Sequence, residues 1–290
     1  MQEINSIYDL VKHFAEYTSR SVFLTGRAGT GKTTFLYDLK SITQKQIAVV
    51  APTGVAAIHA GGVTMHSFFQ LPFTPYVPTP EGRRHLLEKI KMTSLKRKII
   101  QELELLVIDE ISMVRADVLD AVDTILRYVR YRRNEAFGGV QILFIGDMYQ
   151  LAPVAQNEEW RLLSPYYQTP YFFHSKVVAE NPPLYIEFDK IYRQKNQSFI
   201  KLLNEVRNNQ LSDKGMELLL SRFKPNFKLS KKNNHIVLTT HNAKADRINA
   251  EEMLKVKGKT HRFEAIIKGE FPERSYPNEL VLELKEGTKV

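Results

Sequence analysis

The segment Gly26-Arg27-Ala28-Gly29-Thr30-Gly31-Lys32-Thr33 fits the pattern G-x-x-x-x-G-K-[ST] at every position. An apolar run, Ser21 to Thr25, precedes it, and a helical segment, Thr33 to Lys40, follows. A strand, a glycine turn and a helix in that order constrain this chain more than any other feature. The glycines let the backbone turn so that several N–H groups point inward, with a helix N-terminus behind them. Those donors cradle an anionic phosphate. The cradle comprises Gly26, Ala28, Gly29, Thr30, Gly31, Lys32, Thr33 and Thr34. Lys32 is placed to reach the β- and γ-phosphates of a nucleotide, and the Thr33 hydroxyl to ligate Mg²⁺. ATP and Mg²⁺ are the expected cofactors.

The rest of the first half repeats the alternation of strand and helix. Gln46 to Ala51, Leu103 to Asp109 and Gln141 to Gly146 are further near-continuous apolar runs. Such runs separated by helices imply an α/β fold with a parallel sheet covered on both faces. Leu105-Leu106-Val107-Ile108-Asp109-Glu110 delivers two carboxylates at the end of a strand, where open α/β sheets bind ligands. Taken alone, an acidic pair there is as well read as a helix cap. Beside a phosphate loop, Asp109 is expected to share the Mg²⁺ with Thr33, and Glu110 to deprotonate the attacking water. Gly146-Asp147-Met148-Tyr149-Gln150 ends the next strand, and the Gln150 amide suits contact with both phosphate and water.

Lys and Arg total 41 against 32 Asp and Glu, a net charge of +9, which suits a polyanion partner and equally an ordinary basic surface. There are no cysteines, so disulfides and thiolate metal sites are excluded. No apolar run reaches the roughly 20 residues of a membrane span. A cytoplasmic protein without membrane contact is expected.

Leu71 to Pro80 interrupts the alternation with prolines at 72, 75, 78 and 80, and a Lys- and Arg-rich stretch runs on to Ile100. This reads as an excursion between the second and third strands. From Ala116 to Arg133, Val118, Leu119, Val122, Ile125, Leu126 and Val129 form one helical face. Asp117, Asp120 and Asp123 lie early and Arg127, Arg130, Arg132 and Arg133 late, an order that complements a helix dipole. Helix stabilisation is the reading preferred for Arg127, and Arg132 and Arg133 stay open between that and a DNA patch. A second break at Asn181-Pro182-Pro183 suggests a boundary near residue 182, giving domains of 1–182 and 183–290. Beyond it, Leu184 to Phe188 and His235 to Thr240 read as strands, and Ser198 to Asn208 and Asn242 to Leu254 as helices.

Further segments carry a family resemblance. These are Ala51-Pro52-Thr53-Gly54-Val55-Ala56-Ala57, Gly61-Gly62-Val63-Thr64-Met65-His66-Ser67-Phe68, Asp109-Glu110-Ile111-Ser112-Met113, Phe137-Gly138-Gly139 and Gly146-Asp147-Met148-Tyr149-Gln150-Leu151-Ala152-Pro153. In this order the chain resembles the petite-integration-frequency family of superfamily-one DNA helicases, relatives of the RecD-type motors. The resemblance runs from about residue 21 to about residue 250. It implies an ATP-dependent, five-prime to three-prime helicase of two RecA-like domains, with ATP between them and single-stranded DNA across both. Duplex or junction DNA is a further implied partner, and a monomer is expected.

Within that resemblance, Thr53, Gly54, His66, Ser67 and Phe68 line the DNA path in the first domain, and Thr240 and Asn242 touch DNA from the second. The hydroxyls suit phosphate oxygens, and His66 and Phe68 offer faces for bases. His66 equally suits a buried histidine, and Phe68 or Phe69 a core residue. The 71–100 excursion corresponds to a small wedge subdomain and 114–139 to the family's signature region. Arg193, in Ile191-Tyr192-Arg193-Gln194, matches the arginine that reaches across the cleft to the γ-phosphate.

The family's adenine-reading glutamine has no counterpart around Tyr8-Asp9-Leu10, and its last two motifs do not occur before Val290. The second RecA-like domain is thus expected to be incomplete, and the chain to be a truncated portion that binds nucleotide but hydrolyses and unwinds poorly. A nucleotide-switched DNA-binding module and an ATPase acting on proteins are the competing readings. Glu110, Gln150 and Arg193 argue for hydrolysis over a passive switch, and Thr53 and the Thr64–Phe68 segment for DNA over protein.

Overall fold

The computed structural model describes residues 6–225, 227, 236–267 and 279–288. In chain order the elements are α1 (Ser6–Tyr17), β1 (Val22–Gly26), α2 (Lys32–Ile42), β2 (Ile47–Ala51), α3 (Gly54–Ala60), β3 (Val63–Thr64), α4 (Met65–Phe69), α5 (Pro80–Lys89), α6 (Ser94–Glu102), β4 (Leu105–Ile108), α7 (Ala116–Val129), β5 (Gln141–Ile145), α8 (Asn157–Leu163), α9 (Lys176–Glu180), β6 (Leu184–Phe188), α10 (Gln197–Arg207) and α11 (Asp213–Leu220). They are followed by α12 (Asn242–Lys255), β7 (Thr260–Glu264) and β8 (Val281–Lys285). Two compact units divide the chain, Met1–Leu218 and Leu219–Val290.

The first unit is built on a six-stranded sheet in the order β3-β2-β4-β5-β1-β6. All five pairings are parallel. Alternate residues of one strand enter opposite cores. Leu106 and Ile108 pack with Val50, Ile142, Phe144 and the apolar face of α7. Leu105 and Val107 pack with Val22, Leu24, Leu143, Ile145 and the α2 residues Phe35, Leu36 and Leu39. Burial on both faces is why these strands read as continuous apolar runs. Each such side chain contributes roughly 1.5–3 kcal/mol on leaving water.

The break near residue 182 does not part the strand that follows it from the first sheet. Leu184 to Phe188 is β6, paired with β1 from Val22↔Leu184 to Gly26↔Phe188, so it belongs to the first sheet. Pro182 and Pro183 stand just before that strand, where their missing N–H groups interrupt no ladder.

The 71–100 excursion is helical, and its caps are local. Thr79 accepts from Gly82 N at 3.1 Å with Pro80 in the first turn of α5, and Thr93 accepts from Lys96 N at 3.3 Å to start α6. Leu86, Ile90, Met92 and Ile100 join the core that also holds α7. The excursion is therefore packed on the sheet unit rather than standing apart from it.

The acidic face of α7 has a role beyond the helix dipole. Asp117 accepts from Tyr76 N, Asp120 from Lys176 N and Val177 N, and Asp123 from Phe137 N. Three buried carboxylates on one helix thus fix the segments at Tyr76 and Phe137 and the first turn of α9. Arg127 pairs with Asp123 at 2.8 Å, as helix stabilisation requires, and Arg132 meets Glu135 at 3.2 Å. Arg130 closes the helix by donating to the carbonyls of Ile100, Gln101, Leu103 and Gly138. The helix stops at Val129 because Tyr131 takes a left-handed φ of 58°.

In the second unit the expected strand at 235–240 is not formed. His235 lies outside the described residues, and residues 236–240 are irregular, with Ile236 and Leu238 exposed. An apolar run becomes a buried strand only where neighbours supply its ladder. The described strands β7 and β8 pair antiparallel with each other, and no second parallel sheet occurs among the described residues. Neither do the described residues contain a helix long and apolar enough to cross a membrane.

Candidate nucleotide site and DNA-facing segments

The three strands β4, β5 and β1 lie side by side, and the candidate residues sit at their C-terminal ends. The Gly26–Thr33 loop leaves β1, Asp147 follows β5, and Asp109-Glu110 follows β4. Gly31, the residue from which α2 starts, takes φ 90° and ψ 12°, a left-handed conformation that glycine adopts without strain. Gly29, with φ 82°, is approached closely by Arg193, so that a Cβ there would fall 2.6 Å from Arg193 Cβ. Thr30 is buried and its hydroxyl donates to Arg27 O at 2.9 Å, bracing the turn. Ala28, Thr33 and Thr34 face solvent.

Lys32 is the hub of the electrostatics. Its ammonium donates to Gly26 O at 2.5 Å and to Arg27 O at 3.1 Å, lying over its own loop. Burial pulls its pKa down, while Asp147, Glu110 and Asp109 pull it back up. One cation thus feels carboxylates from two neighbouring strand ends. Burial pushes the Asp109 carboxyl up to about 6, with the Glu110 charge adding to the rise and the Glu110 N–H and Lys32 opposing it. Glu110 itself has φ 51° and ψ 44°. A non-glycine residue in that region is uncommon, and such strain concentrates where a side chain must be aimed.

Asp147 is buried, yet its carboxyl is held below the usual range. Burial alone would raise it; hydrogen bonds from Arg207, Gln150 Nε2 and Tyr149 N outweigh that. Gln150 is exposed at the mouth of this group. The motif around Gly146 therefore contributes a second buried anion that sequence reasoning did not single out. Nor did it mark Arg207, which lies at the end of an amphipathic helix, where no spacing pattern flags a lone arginine.

Arg193 stands in a different place from the one expected. It lies in the same compact unit as the phosphate loop, and Tyr192 N and Arg193 N both donate to Gly29 O, at 2.8 and 3.3 Å. It approaches the loop from the β6 side, not across from a second domain. The half-exposed Tyr192 ring lies beside the start of α2, 3.6 Å from where a Gly31 Cβ would be.

The residues expected on the DNA path fall in four different settings. Thr53 caps α3 by accepting from Ala56 N at 3.2 Å, and Gly54 beside it is exposed with open space around it. His66 and Ser67 lie on α4, and the His66 ring stacks on the exposed Phe73 ring, with centroids 5.4 Å apart and planes 10° from parallel. Burial, with the Arg115 charge, lowers the His66 pKa and favours the neutral ring. Phe68 does not offer a face for a base. It is 7% exposed, sits edge-on to Phe69 in the core, and is covered by the Lys96 ammonium 4.0 Å from its centroid. Phe73, two residues beyond Leu71, is the aromatic that the sequence reading overlooked. Thr240 and Asn242 are exposed in the second unit, with Thr240 Oγ1 2.9 Å from His241 Nδ1.

A parallel sheet carrying a phosphate loop on β1, an acidic pair on the strand two places away and a polar turn on the strand between defines a P-loop nucleotide-binding protein of the RecA-like class. The PIF1-like helicase family matches residues 1–217, and the chain belongs to that family. It is 35% identical over 254 residues to the human ATP-dependent DNA helicase PIF1, covering 85% of this chain and 36% of that protein. It is 31% identical over 286 residues to the Saccharomyces cerevisiae helicase of that name, covering 93% and 31%. The crystal structure of Bacteroides Pif1 bound to single-stranded DNA superposes with TM-score 0.83 and 39% identity, covering 98% of this chain and 63% of that one. A complex of the Bacteroides helicase with ADP-AlF3 and single-stranded DNA gives TM-score 0.82 and 38% identity, with 98% and 63% covered. The chain thus spans about a third of the length of the curated relatives it matches.

Proposed function

We propose that this chain is the ATP-binding motor portion of a DNA helicase that moves five-prime to three-prime along single-stranded DNA. The observation that carries the reading is the convergence of Lys32, Asp109, Glu110 and Asp147 at three adjacent strand ends. Charged phosphate oxygens compete well for the Lys32 ammonium, because they add the attraction of opposite charges to a hydrogen bond that a neutral carbonyl accepts without it. The loop amides and Lys32 bind the triphosphate, and Tyr192 offers a flat surface beside it for the base.

The donor set suits Mg²⁺. Asp109 is a partly desolvated carboxylate beside a second one, Thr33 is an exposed hydroxyl on the adjoining loop, and Mg²⁺ usually takes few protein oxygens alongside phosphate and water. When bound, the ion supplies charge to the phosphate oxygens. Glu110 takes the proton of the attacking water as the new P–O bond forms and the bond from the γ-phosphorus to the bridging oxygen breaks. Gln150 orients that water. Arg193 neutralises charge on the γ-phosphoryl oxygens from its position over Gly29.

Single-stranded DNA runs over Thr53, Gly54, His66 and Ser67, with the His66–Phe73 stack as a base platform, and Thr240 and Asn242 of the second unit are DNA contacts in their own right. The helical excursion at 71–100 is the strand-separating element for duplex or junction DNA. A monomer working in the cytoplasm, at the nucleoid, fits these partners. The test is the ATP hydrolysis rate with and without oligo(dT). Stimulation of about tenfold or more is expected from coupling of the two sites, and an unstimulated rate contradicts the motor.

A further inference from the structure

The end of α10 carries an arginine to which the chemistry above gives no role. Arg207 Nη2 donates to Asp147 Oδ1 at 2.9 Å, with the side chains 17% and 3% exposed. Its guanidinium lies over the Tyr149 ring, 4.2 Å from the centroid. Its Nε is buried and makes no hydrogen bond, so the arginine is held here at some cost. The same carboxylate accepts from Tyr149 N through Oδ1 and from Gln150 Nε2 through Oδ2, both at 3.1 Å.

These contacts decide which way the Gln150 amide points. Its NH₂ end is tied to Asp147, which leaves Oε1 as the end turned away from the carboxylate. A flipped amide would set two oxygens against each other. The attacking water gives one proton to Glu110 and keeps the other, which needs a hydrogen-bond acceptor to orient it, and Oε1 is such a group. The arrangement holds only while Asp147 stays an anion inside the fold; the Lys32 charge also acts on it, and Arg207 is the cation hydrogen-bonded to it.

We propose that Arg207 is a positioning residue for nucleotide hydrolysis: by pairing with Asp147 it fixes the Gln150 amide with its oxygen toward the attacking water. This rests on the hydrolytic reading of the site. It also joins α10, which follows the Arg193 segment, to the end of β5, so that water orientation depends on how α10 is seated.

The test compares the parent chain with Arg207→Gln and Arg207→Lys, measuring kcat and KM for ATP with saturating oligo(dT), and Kd for ADP by calorimetry. Arg207→Gln should lower kcat by about tenfold or more while KM and the ADP Kd stay within about threefold. Arg207→Lys, which keeps the charge without the planar fork, should recover part of that loss. Where the glutamine variant does not fold, the lysine variant carries the comparison, with a kcat loss of about threefold expected at parent-like ADP affinity. The assignment is overturned by a parent-like kcat in the variant compared. It is overturned equally by an ADP affinity that falls in step with kcat, or by a lysine variant no better than glutamine. A parent chain that neither binds ADP nor hydrolyses ATP sinks the nucleotide reading, and this assignment falls with it.

Discussion

The backbone amide of Tyr192 donates to Gly29 O at 2.8 Å, so the chain leaving β6 is hydrogen-bonded onto the phosphate loop. Gly29 is thereby fixed twice, by its left-handed φ of 82° and by Arg193 Cβ, 2.6 Å from where a Cβ would stand. Gly29→Ala strains the backbone by roughly 1–2 kcal/mol and pushes the Arg193 segment off the loop. ADP affinity measured by calorimetry should fall about tenfold, a value corresponding to about 1.4 kcal/mol. An unchanged affinity would show that the loop tolerates a shifted neighbour.

Phe68 and Phe73 separate folding from DNA contact. Phe68 is buried among core residues, so Phe68→Ala should cost about 3–5 kcal/mol of stability in urea unfolding. Phe73 is exposed and stacked on His66. Phe73→Ala should leave the unfolding midpoint nearly unchanged and weaken oligo(dT) binding by about fivefold or more, the loss expected of one stacking partner. Fluorescence anisotropy distinguishes the two, and a Phe73→Ala chain that binds DNA as the parent does removes the stack from the DNA path.

Asp120 makes stability depend on pH. Burial pushes its carboxyl up to about 6, against the hydrogen bonds from Val177, Lys176 and Tyr167. A raised carboxyl means that the folded chain binds a proton below about pH 6 while the unfolded chain waits until about pH 4. The ionised group therefore costs stability at neutral pH, and that cost is relieved as the pH falls through 6. Between pH 7 and pH 5 the parent should gain about 1 kcal/mol relative to Asp120→Asn, which has no proton to take up. Denaturant titrations at the two pH values measure the difference, and equal pH responses in both chains contradict it.

The phosphate loop and acidic pair were legible because each is a contiguous stretch with a fixed spacing, set at the end of an apolar strand. The parallel sheet was legible because burial on both faces leaves unbroken apolar runs. What joins residues distant in sequence was not. β6 read as the start of a new domain because two prolines precede it, and only its pairing with β1 shows which sheet it closes. Phe68 and Phe73 are both aromatic residues in a polar stretch, and which one faces solvent is decided by Phe69 and Lys96, not by local pattern. Arg207 gains its meaning from Asp147, 60 residues earlier. The apolar run after His235 looked like a buried strand because period and composition say nothing about whether neighbours exist to pair with it.

Titration of ATP into the parent chain and into Lys32→Ala tests the account most directly. The Lys32 ammonium, now shared between Gly26 O and Arg27 O, is predicted to turn to the triphosphate. The parent should bind ATP saturably, and the variant at least about tenfold more weakly, the loss expected of a hydrogen bond to a charged group. Equal affinities, or a parent that does not bind ATP, would contradict it.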